Sequence, residues 1–338
     1  MTFKALQNND TVSTRTLLHE AIPLTGTIVS GTYGAFKEED NIQNYSHGMF
    51  QTVYDYPYLS SSANHIFDIT VGLSTQGGLY GSVTTTPGQQ SKKKNIYNQM
   101  AQVLMGYDHT GSIRPFDEDG DIIAGGSKIG DCFILPFSRM LVKDEIQKET
   151  FQMTLGVSGS QGGYEAPWGS TGTSHVITIS DVGAATEYRT NSPAGEYGIL
   201  YATSSLGNGH IMNVDSGHTT TIDGTTYWYA GLLFYQAGIA VLTSSLFMSC
   251  SALAGGFGDG QLGPAIAGTG DPGLVFGTSP YELGPKDANA ILTGSQISAS
   301  ADYFRHRIKN IQFNNTTELN STIYFCRANH NEFNYSSN

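Results

Sequence analysis

The sequence TTELNSTIYFCRANHNEFNYSSN, residues 316–338, is rich in β-branched and aromatic residues and carries few charges. This composition favours strands over helices. Residues 314–318 are predicted to turn the chain into a second strand at residues 322–328, so that the two strands form a C-terminal hairpin. A hairpin at the end of a sheet leaves a row of unpaired backbone groups. We therefore expect residues 322–335 to lie at a boundary between subunits.

The composition of the whole 338-residue chain is typical of β-sheets joined by many loops. Only 14% of the residues are charged, well below the roughly 25% of an ordinary soluble domain. The chain instead contains 41 Gly, 19 Tyr and 16 Phe. A surface of hydroxyl and aromatic groups costs less to cover with a partner than a surface of Lys and Glu. The composition therefore favours a protein that other chains cover.

Charge and hydropathy exclude several classes of partner. The net charge is −12, so neither nucleic acid nor an anionic membrane is expected to be a partner. No apolar run approaches the roughly 20 residues of a membrane span, and the opening MTFKALQNND lacks the hydrophobic stretch of a signal peptide. Cys132, Cys250 and Cys326 are widely spaced and odd in number. They are predicted to be buried free thiols of a protein that folds in the cytosol.

The hydrophobic pattern predicts a mainly β fold with antiparallel, sandwich-like sheets, Gly-rich surface loops and two or three helices. Residues 49–54, 65–73, 132–137 and 151–157 are predicted strands. HVITIS, EYGILYATS, GLLFYQ and GIAVLTSSLF continue the series. Residues 1–44 are predicted to form an N-terminal arm or loop region with one strand near residues 27–30. Residues 45–338 then form a β-rich structural domain, with a Gly-rich loop insertion at about 251–284.

Two segments have helical periodicity. The first contains one apolar stripe formed by Ile96, Met100, Val103, Leu104 and Tyr107. Because cations are unfavourable at a helix N-terminus, this helix is predicted to begin near Asn95, with residues 92–94 as a solvated lead-in. The second contains a stripe formed by Ile297, Ala301, Phe304 and Ile308, with Asp287 as its predicted N-cap.

The acidic segment DEDGD, residues 117–121, raises the question of a calcium site. Asp117, Asp119 and Asp121 alternate as the first ligands of a calcium loop do. A helix–loop–helix calcium loop also needs Gly at its sixth position and Glu at its twelfth. Here Gly120 is fourth and Lys128 is twelfth. A solvated acidic turn is therefore the favoured interpretation, and a weak cation site is the alternative.

Motifs that carry catalytic chemistry are absent from the sequence. There is no GxxxxGK[ST] phosphate loop, no GxSxG elbow, no HExxH pair and no CxxC pair. GGFGDG has spacing similar to a nucleotide-binding loop, but no predicted strand precedes it and no predicted helix follows. We therefore expect neither enzymatic activity nor a cofactor.

Aromatic clusters are the main candidates for contacts with other molecules. Tyr227 and Trp228 belong to the cluster TTYWYAG, and VYDYPYL is a second cluster. Amphipathic rings serve as interface anchors or as platforms for sugars, and packing in a core or interface is the favoured interpretation. The expected interface residues are Tyr324, Phe325, Phe333, Tyr335, Tyr227 and Trp228.

Six blocks of the sequence resemble a family of virion structural proteins from contractile-tailed, T-even-like and often marine bacteriophages. The blocks are NIYNQMAQVLMGYD, FSRMLVKDEI, NSPAGEYGILYA, YQAGIAVLTSSLF, ISASADYFRHRI and NNTTELNSTIYFCRANHNEFNYSSN. In that family FNYSSN usually continues through a proline into a further β-rich tail, whereas this sequence stops there. The resemblance implies no catalytic residue in this chain.

The resemblance implies a structural subunit of the virion, assembled in the host cytoplasm. A position in the tail or baseplate is the leading expectation, with copies of the same chain and other virion proteins as partners. A neck, head–tail or capsid-associated position is the alternative. A receptor-binding or glycan-binding tail protein is less favoured, because the sequence has no repeats of the kind that build fibre shafts.

Overall fold

A computed structural model describes residues 6–25, 40–77, 87–122, 126–156, 176–204, 219–247, 292, 296–305 and 308–326. These residues form a mainly antiparallel β fold, as predicted from the composition and hydrophobic pattern. The strands are β1 (Thr11–Thr25), β2 (Ile42–Asn44), β3 (Gln51–Tyr54), β4 (His65–Leu73), β5 (Phe116–Asp117), β6 (Lys128–Ile129), β7 (Asp131–Pro136), β8 (Glu145–Ile146), β9 (Gln152–Gly156), β10 (Val176–Ser180), β11 (Arg189–Ser192), β12 (Gly195–Ser204), β13 (Thr219–Ile222), β14 (Thr225–Phe234), β15 (Ile239–Thr243) and β16 (Ile308–Tyr324).

The described helices are few and mostly short. They are α1 (Pro87–Leu104), α2 (Arg139–Val142), α3 (Ala184–Glu187) and α4 (Ile297–Arg305), with two 3₁₀ turns at Asn8–Asp10 and Ser244–Phe247. Fourteen strands form one sheet in the order β1-β16-β9-β10-β12-β14-β15-β7-β4-β3-β2, with β11 beside β12, β13 beside β14 and β8 beside β16. Strands β5 and β6 form a separate pair.

The large sheet is rolled rather than flat. Phe137, at the end of β7, and Phe313 of β16 have ring centroids 5.3 Å apart, although β7 and β16 are six places apart in the strand order. A flat sheet would separate them by about 29 Å, at roughly 4.8 Å a strand. The sheet therefore curls around an aromatic core, to which Phe151 also belongs.

A hydrophobic core lies on each face of the sheet, because side chains alternate along each strand. Phe133 and Leu135 of β7 belong to the core inside the roll, where the ring of Phe304 from α4 stacks on Phe133 at 4.7 Å. Cys132 and Ile134 of the same strand belong to the second core. Helix α1 covers this second core with Ile96, Tyr97, Ala101 and Leu104.

The predicted C-terminal hairpin is wrong. Residues 314–318 lie inside β16, a single strand of 17 residues, instead of forming a turn. Strand β1 pairs along its whole length with β16, from Thr11 opposite Tyr324 to Thr25 opposite Asn310. The partner of the C-terminal strand thus comes from the N-terminal region, where sequence analysis placed an arm or loop. Strands from both sides of residue 44 share one sheet.

The predicted start of the first helix is also wrong. Helix α1 begins at Pro87, so residues 92–94 lie within it. Lys93 is fully buried and donates a hydrogen bond from Nζ to the backbone carbonyl of Leu292. Of the predicted apolar stripe, Ile96 and Leu104 are buried, whereas Val103 is 63% exposed. The second predicted stripe is confirmed for Ile297, Ala301 and Phe304, all fully buried.

The cysteine prediction holds in part. Cys132 is a buried free thiol, as expected, whereas Cys326 is free and exposed, which contradicts the prediction of a buried thiol. Several other predictions fall outside the described residues, including the strand near residues 27–30, the Gly-rich insertion at 251–284 and the N-cap Asp287.

Candidate interaction surface

A two-stranded ribbon extends from the rolled sheet and is the most exposed regular structure among the described residues. We call it the arm; it consists of residues 11–18 of β1 and 317–324 of β16, paired from Thr11 opposite Tyr324 to Leu18 opposite Thr317. Ser, Thr and β-branched residues dominate it, which suits an extended backbone. The 3₁₀ turn Asn8–Asp10 closes the tip, where Phe325 donates its N–H to the carbonyl of Asp10 at 2.7 Å.

One side of the arm, which we call the uncharged face, lies on the same side of the strands as core residues of β16. Residues directly opposite each other in an antiparallel pair point to the same side of the sheet. The pairs Ile22–Phe313 and Leu24–Ile311, in which all but the half-buried Ile22 are buried, therefore share a side with every second pair of the arm. The uncharged face consists of Val12, Thr14, Thr16, Leu18, Thr317, Leu319, Ser321 and Ile323.

The apolar side chains of the uncharged face are open to solvent. Leu18, Leu319 and Ile323 are each 51% exposed, and Val12 is 44% exposed. No ionisable side chain interrupts them along eight positions on two strands. The uncharged face lies on the side of β16 that is buried in the body, and the pair Glu20–Asn315, with Glu20 ion-paired to Lys143, separates it from the core. Covering the uncharged face itself requires no desolvation of a charge.

The opposite side, the charged face, is held by polar contacts between the two strands. It consists of Thr11, Ser13, Arg15, Leu17, Glu318, Asn320, Thr322 and Tyr324. The Arg15 guanidinium donates to Glu318 Oε2 at 2.5 Å, and this hydrogen bond lowers the pKa of Glu318. The hydroxyls of Ser13 and Thr322 lie 3.1 Å apart. These contacts join the two strands on the side of the arm that carries its charges.

Both edges of the arm leave backbone groups available. Strand β1 pairs only with β16 among the described residues, and β8 contacts β16 only at Asn315 and Thr316. Beyond Glu318, whose N–H donates to Asp144 Oδ2 at 2.8 Å, the outer edge of β16 has no strand partner in the described part of the chain. Such edges accept a further strand unless Pro or charges prevent it. Pro23 is the one proline of β1, and it lies outside the arm.

A charged cleft of about 480 Å³ lies where the arm joins the body. Lys148 is its central cation: Nζ lies 2.6 Å from Glu196 Oε2 and 4.7 Å from the ring centre of Tyr188. The cleft is lined by Arg15, Arg139, Asp144, Glu145, Lys148, Tyr188, Glu196, Gln236, Thr316 and Glu318. Because acids and bases alternate around it, the cleft favours neither an anion nor a cation.

A buried carboxyl stiffens the segment that supports the arm. Asp181 accepts hydrogen bonds from the N–H groups of Glu149 at 2.8 Å and Phe151 at 3.1 Å, and from the hydroxyl of Tyr235 at 3.0 Å. Burial raises the pKa of Asp181 to about 7. Thr150, between the two N–H donors, accepts the backbone N–H of Asn314 in β16 at 3.0 Å. The arrangement therefore anchors the base of the arm.

The structure brings the three aspartates of the acidic segment together. One carboxylate oxygen from each of Asp117, Asp119 and Asp121 lies within 4.8 Å of the other two. Asp117 is buried and Asp121 is exposed. Lys128, opposite Asp117 in the β5–β6 pair, places Nζ 2.7 Å from Asp117 Oδ2. The candidate metal ligands proposed from sequence are thus neighbours in space.

The predicted interface aromatics occupy different environments. Tyr324 is 60% exposed on the charged face, and Phe325, at the arm tip, is 51% exposed. Tyr227 is half-buried on β14, its ring 5.9 Å from that of Tyr201. Trp228 is 2% exposed and packs in the core within the roll. Phe333 and Tyr335 lie outside the described residues.

Sequence reasoning missed the apolar contribution of β1 to this surface. Val12, Leu17 and Leu18 lie in TVSTRTLL, a stretch rich in β-formers that sequence analysis left without a strand. Its Thr and Val content was the available signal. Leu319 and Ile323 lie in the C-terminal segment, but only its aromatic residues were predicted to contribute to an interface.

Comparison of the chain with protein-family models, with curated proteins and with solved structures gave no match. Among the described residues, no helix has the length and apolarity that a membrane span requires.

Proposed function

We propose that this chain is a structural subunit of a tailed-bacteriophage virion, placed in the tail or baseplate, and that it acts by self-association and docking to neighbouring subunits. The observation that carries the proposal is the arm, whose uncharged face exposes Val12, Leu18, Leu319 and Ile323 to solvent. The resemblance of six sequence blocks to virion structural proteins supplies the biological setting. A neck or capsid-associated position is the second candidate, since the same arm would serve there.

The occupant of the uncharged face is a second copy of the chain. Each copy carries a net charge of −12, so copies repel one another wherever acidic surfaces meet. The uncharged face offers contact without that repulsion. Its apolar side chains, Val12, Leu18, Leu319 and Ile323, gain free energy when covered, and its hydroxyls tolerate a partly wet contact.

The size of the arm indicates an assembly of many copies rather than an isolated dimer. Eight residue pairs extend about 26 Å, and two strands give a face about 10 Å wide, or about 260 Å². A stable pairwise interface needs about 800 Å² on each partner. One arm face is therefore too small on its own, and repeated contacts in a closed ring supply the missing stability through high effective concentration.

Oligomeric state tests this proposal. We expect the purified chain to form oligomers by sedimentation velocity. A variant carrying Leu18→Ser, Leu319→Ser and Ile323→Ser is expected to shift to monomers, because the apolar contribution of the uncharged face is lost. The control carries Leu17→Ser and Tyr324→Ser on the charged face, at similar exposure, and is expected to assemble like the parent chain.

A parent chain that is monomeric at every concentration would refute self-association through the arm. Equal assembly by both variants would refute the assignment of the uncharged face. The position in the virion has its own test, which is mass spectrometry of purified particles. A copy number divisible by six favours a tail ring, and absence of the chain from the particles rejects the virion role.

A further inference from the structure

The acidic turn between β5 and β6 is independent of the arm and contains an unusual carboxylate. Asp117 has a side chain only 1% exposed. Its Oδ2 accepts two hydrogen bonds, from the N–H of Ile122 at 2.6 Å and from Lys128 Nζ at 2.7 Å. Its Oδ1 is buried and has no hydrogen-bond partner among the described residues. Oδ2 of Asp117 thus accepts two hydrogen bonds, whereas Oδ1 accepts none from the described residues.

A bare carboxylate oxygen in a buried position requires a physical explanation. Removing such an oxygen from water without a partner costs about 1–3 kcal/mol or more. A bound cation is one of the recognised explanations for an unsatisfied buried group. Lys128 does not supply it, because its contact is with Oδ2. Asp119 and Asp121 each bring an oxygen to within 4.8 Å of an oxygen of Asp117, a spacing that one ion can bridge.

We propose that Asp117, Asp119 and Asp121 bind a divalent cation, with Asp117 Oδ1 as the buried ligand. The three carboxylates and the Lys128 ammonium carry a formal charge of −2, which matches such an ion. All the donors are oxygens, which suit calcium or magnesium. Calcium fits better, because it accepts irregular coordination completed by water, whereas magnesium demands a near-ideal octahedron.

The site is expected to be weak and selective for calcium. Asp121 is exposed, and Lys128 stands at the loop position where a helix–loop–helix site has its bidentate Glu. We therefore expect a dissociation constant of about 10⁻⁴–10⁻³ M, the range of open extracellular calcium modules.

Calorimetric titration of chelator-treated full-length protein with calcium chloride tests the site. The two ligands that reach solvent are changed first, since Asp119→Asn and Asp121→Asn leave the buried carboxylate in place and are expected to fold. Each is expected to weaken calcium binding at least about tenfold. The control is Asp223→Asn, which removes one acidic charge from the turn between β13 and β14. It is expected to bind calcium like the parent chain.

A fourth variant tests the effect of the positive charge beside the proposed site. Lys128→Gln removes the competing ammonium, and we expect calcium to bind several-fold more tightly as a result. Absence of saturable binding up to about 10 mM calcium would overturn the proposal, since that exceeds the expected range. Unchanged binding in Asp119→Asn and Asp121→Asn, or an equal loss in Asp223→Asn, would overturn it as well.

Discussion

The two halves of the β1–β16 pair have the same register but opposite surroundings. In the base of the pair, residues 19–25 and 310–316, Phe313 and Ile311 are at most 1% exposed and Leu24 is 5% exposed. In the arm, Leu18, Leu319 and Ile323 occupy the same side of the same strands and are each 51% exposed. Backbone pairing is continuous across the boundary. The difference lies only in what covers the side chains.

The two halves of the β1–β16 pair contribute differently to the stability of the fold. The base contributes apolar burial to the stability of the fold, whereas the arm gains nothing comparable within the described part of the chain. Two-stranded ribbons are marginal by themselves in water. The arm therefore depends on the base for its order, and Leu18, Leu319 and Ile323 on its uncharged face stay about half exposed. Substitutions in the base and in the arm should therefore change the free energy of unfolding by different amounts.

The largest expected effect comes from Phe313→Ala in the base. The ring of Phe313 lies 5.3 Å from that of Phe137 and 6.4 Å from that of Phe151, and Phe313 is 1% exposed. Removing a buried phenyl group leaves a cavity and costs about 3–5 kcal/mol. Urea denaturation of the variant and the parent chain measures the loss. If Phe313→Ala lowered the free energy of unfolding no more than Ile323→Ala in the arm, the proposed difference between base and arm would be wrong.

Asp181→Asn tests the anchor beneath the base. The two carboxylate oxygens of Asp181 accept from the N–H groups of Glu149 and Phe151 and from the hydroxyl of Tyr235. An asparagine side chain has only one acceptor oxygen, so these three donors lose one acceptor. We expect a loss of about 1–3 kcal/mol in the free energy of unfolding, measured by urea denaturation at neutral pH. Tyr235→Phe, which removes one donor and keeps the ring, is the milder control.

The same carboxyl predicts a pH dependence. Burial raises the pKa of Asp181 to about 7, above the about 3.9 of an unfolded chain. A raised pKa means that the native state binds the proton more tightly, so this stabilisation is full below about pH 3.9 and lost as pH rises through about 7. The free energy of unfolding should therefore fall from about pH 5.5 to about pH 7.5 by more in the parent chain than in Asp181→Asn. Parallel pH profiles would contradict this.

Ile323→Ala is the matched change in the arm. Ile323 lies on the same side of β16 as Phe313 but is 51% exposed. We expect the free energy of unfolding of the dilute chain to change by about 0.5 kcal/mol or less, as for most surface substitutions. Urea denaturation under the conditions used for Phe313→Ala measures it. A loss of several kcal/mol would show that the arm is buried by the chain itself.

The smallest expected effect comes from Arg15→Gln on the charged face. The Arg15 side chain is 64% exposed, so water and salt screen its contact with Glu318. Exposed ion pairs contribute little to stability. We expect an unchanged thermal midpoint, at both low and high ionic strength. A large decrease at low salt would show that the arm needs this ion pair to form.

Local sequence patterns predicted much of this fold. A run of β-branched and aromatic residues predicted the strand at residues 65–73, where β4 lies, and alternation of apolar and polar residues identified buried Met153 and Leu155 in β9. Helical spacing identified Ile297, Ala301 and Phe304 as the buried face of α4. These features depend on the near sequence, because the period of the pattern is the period of the structure.

Features that depend on distant contacts were not predictable. The partner of β16 is β1, and no local pattern specifies a pairing across the length of the chain. Residues 314–318 have turn-like composition but are held extended by that pairing. Lys93 was expected in a solvated segment before the helix, because cations are unfavourable at a helix N-terminus, yet it lies within α1 and donates a hydrogen bond to the Leu292 carbonyl inside the fold. The uncharged face that we propose as the contact surface takes half of its residues from β16, inside the C-terminal segment, and the other half from β1.

The pairing of β1 with β16 also fixes when the arm can exist. Ser13 and Thr322, whose hydroxyls meet in the arm, are 309 residues apart. Contacts between such distant residues form late, since the intervening chain must first be ordered or looped. During synthesis, β1 leaves the ribosome long before β16 and has no partner strand until β16 emerges. Chains without β16 therefore lack the arm, and the association that we propose for the arm has to wait until β16 has been synthesised.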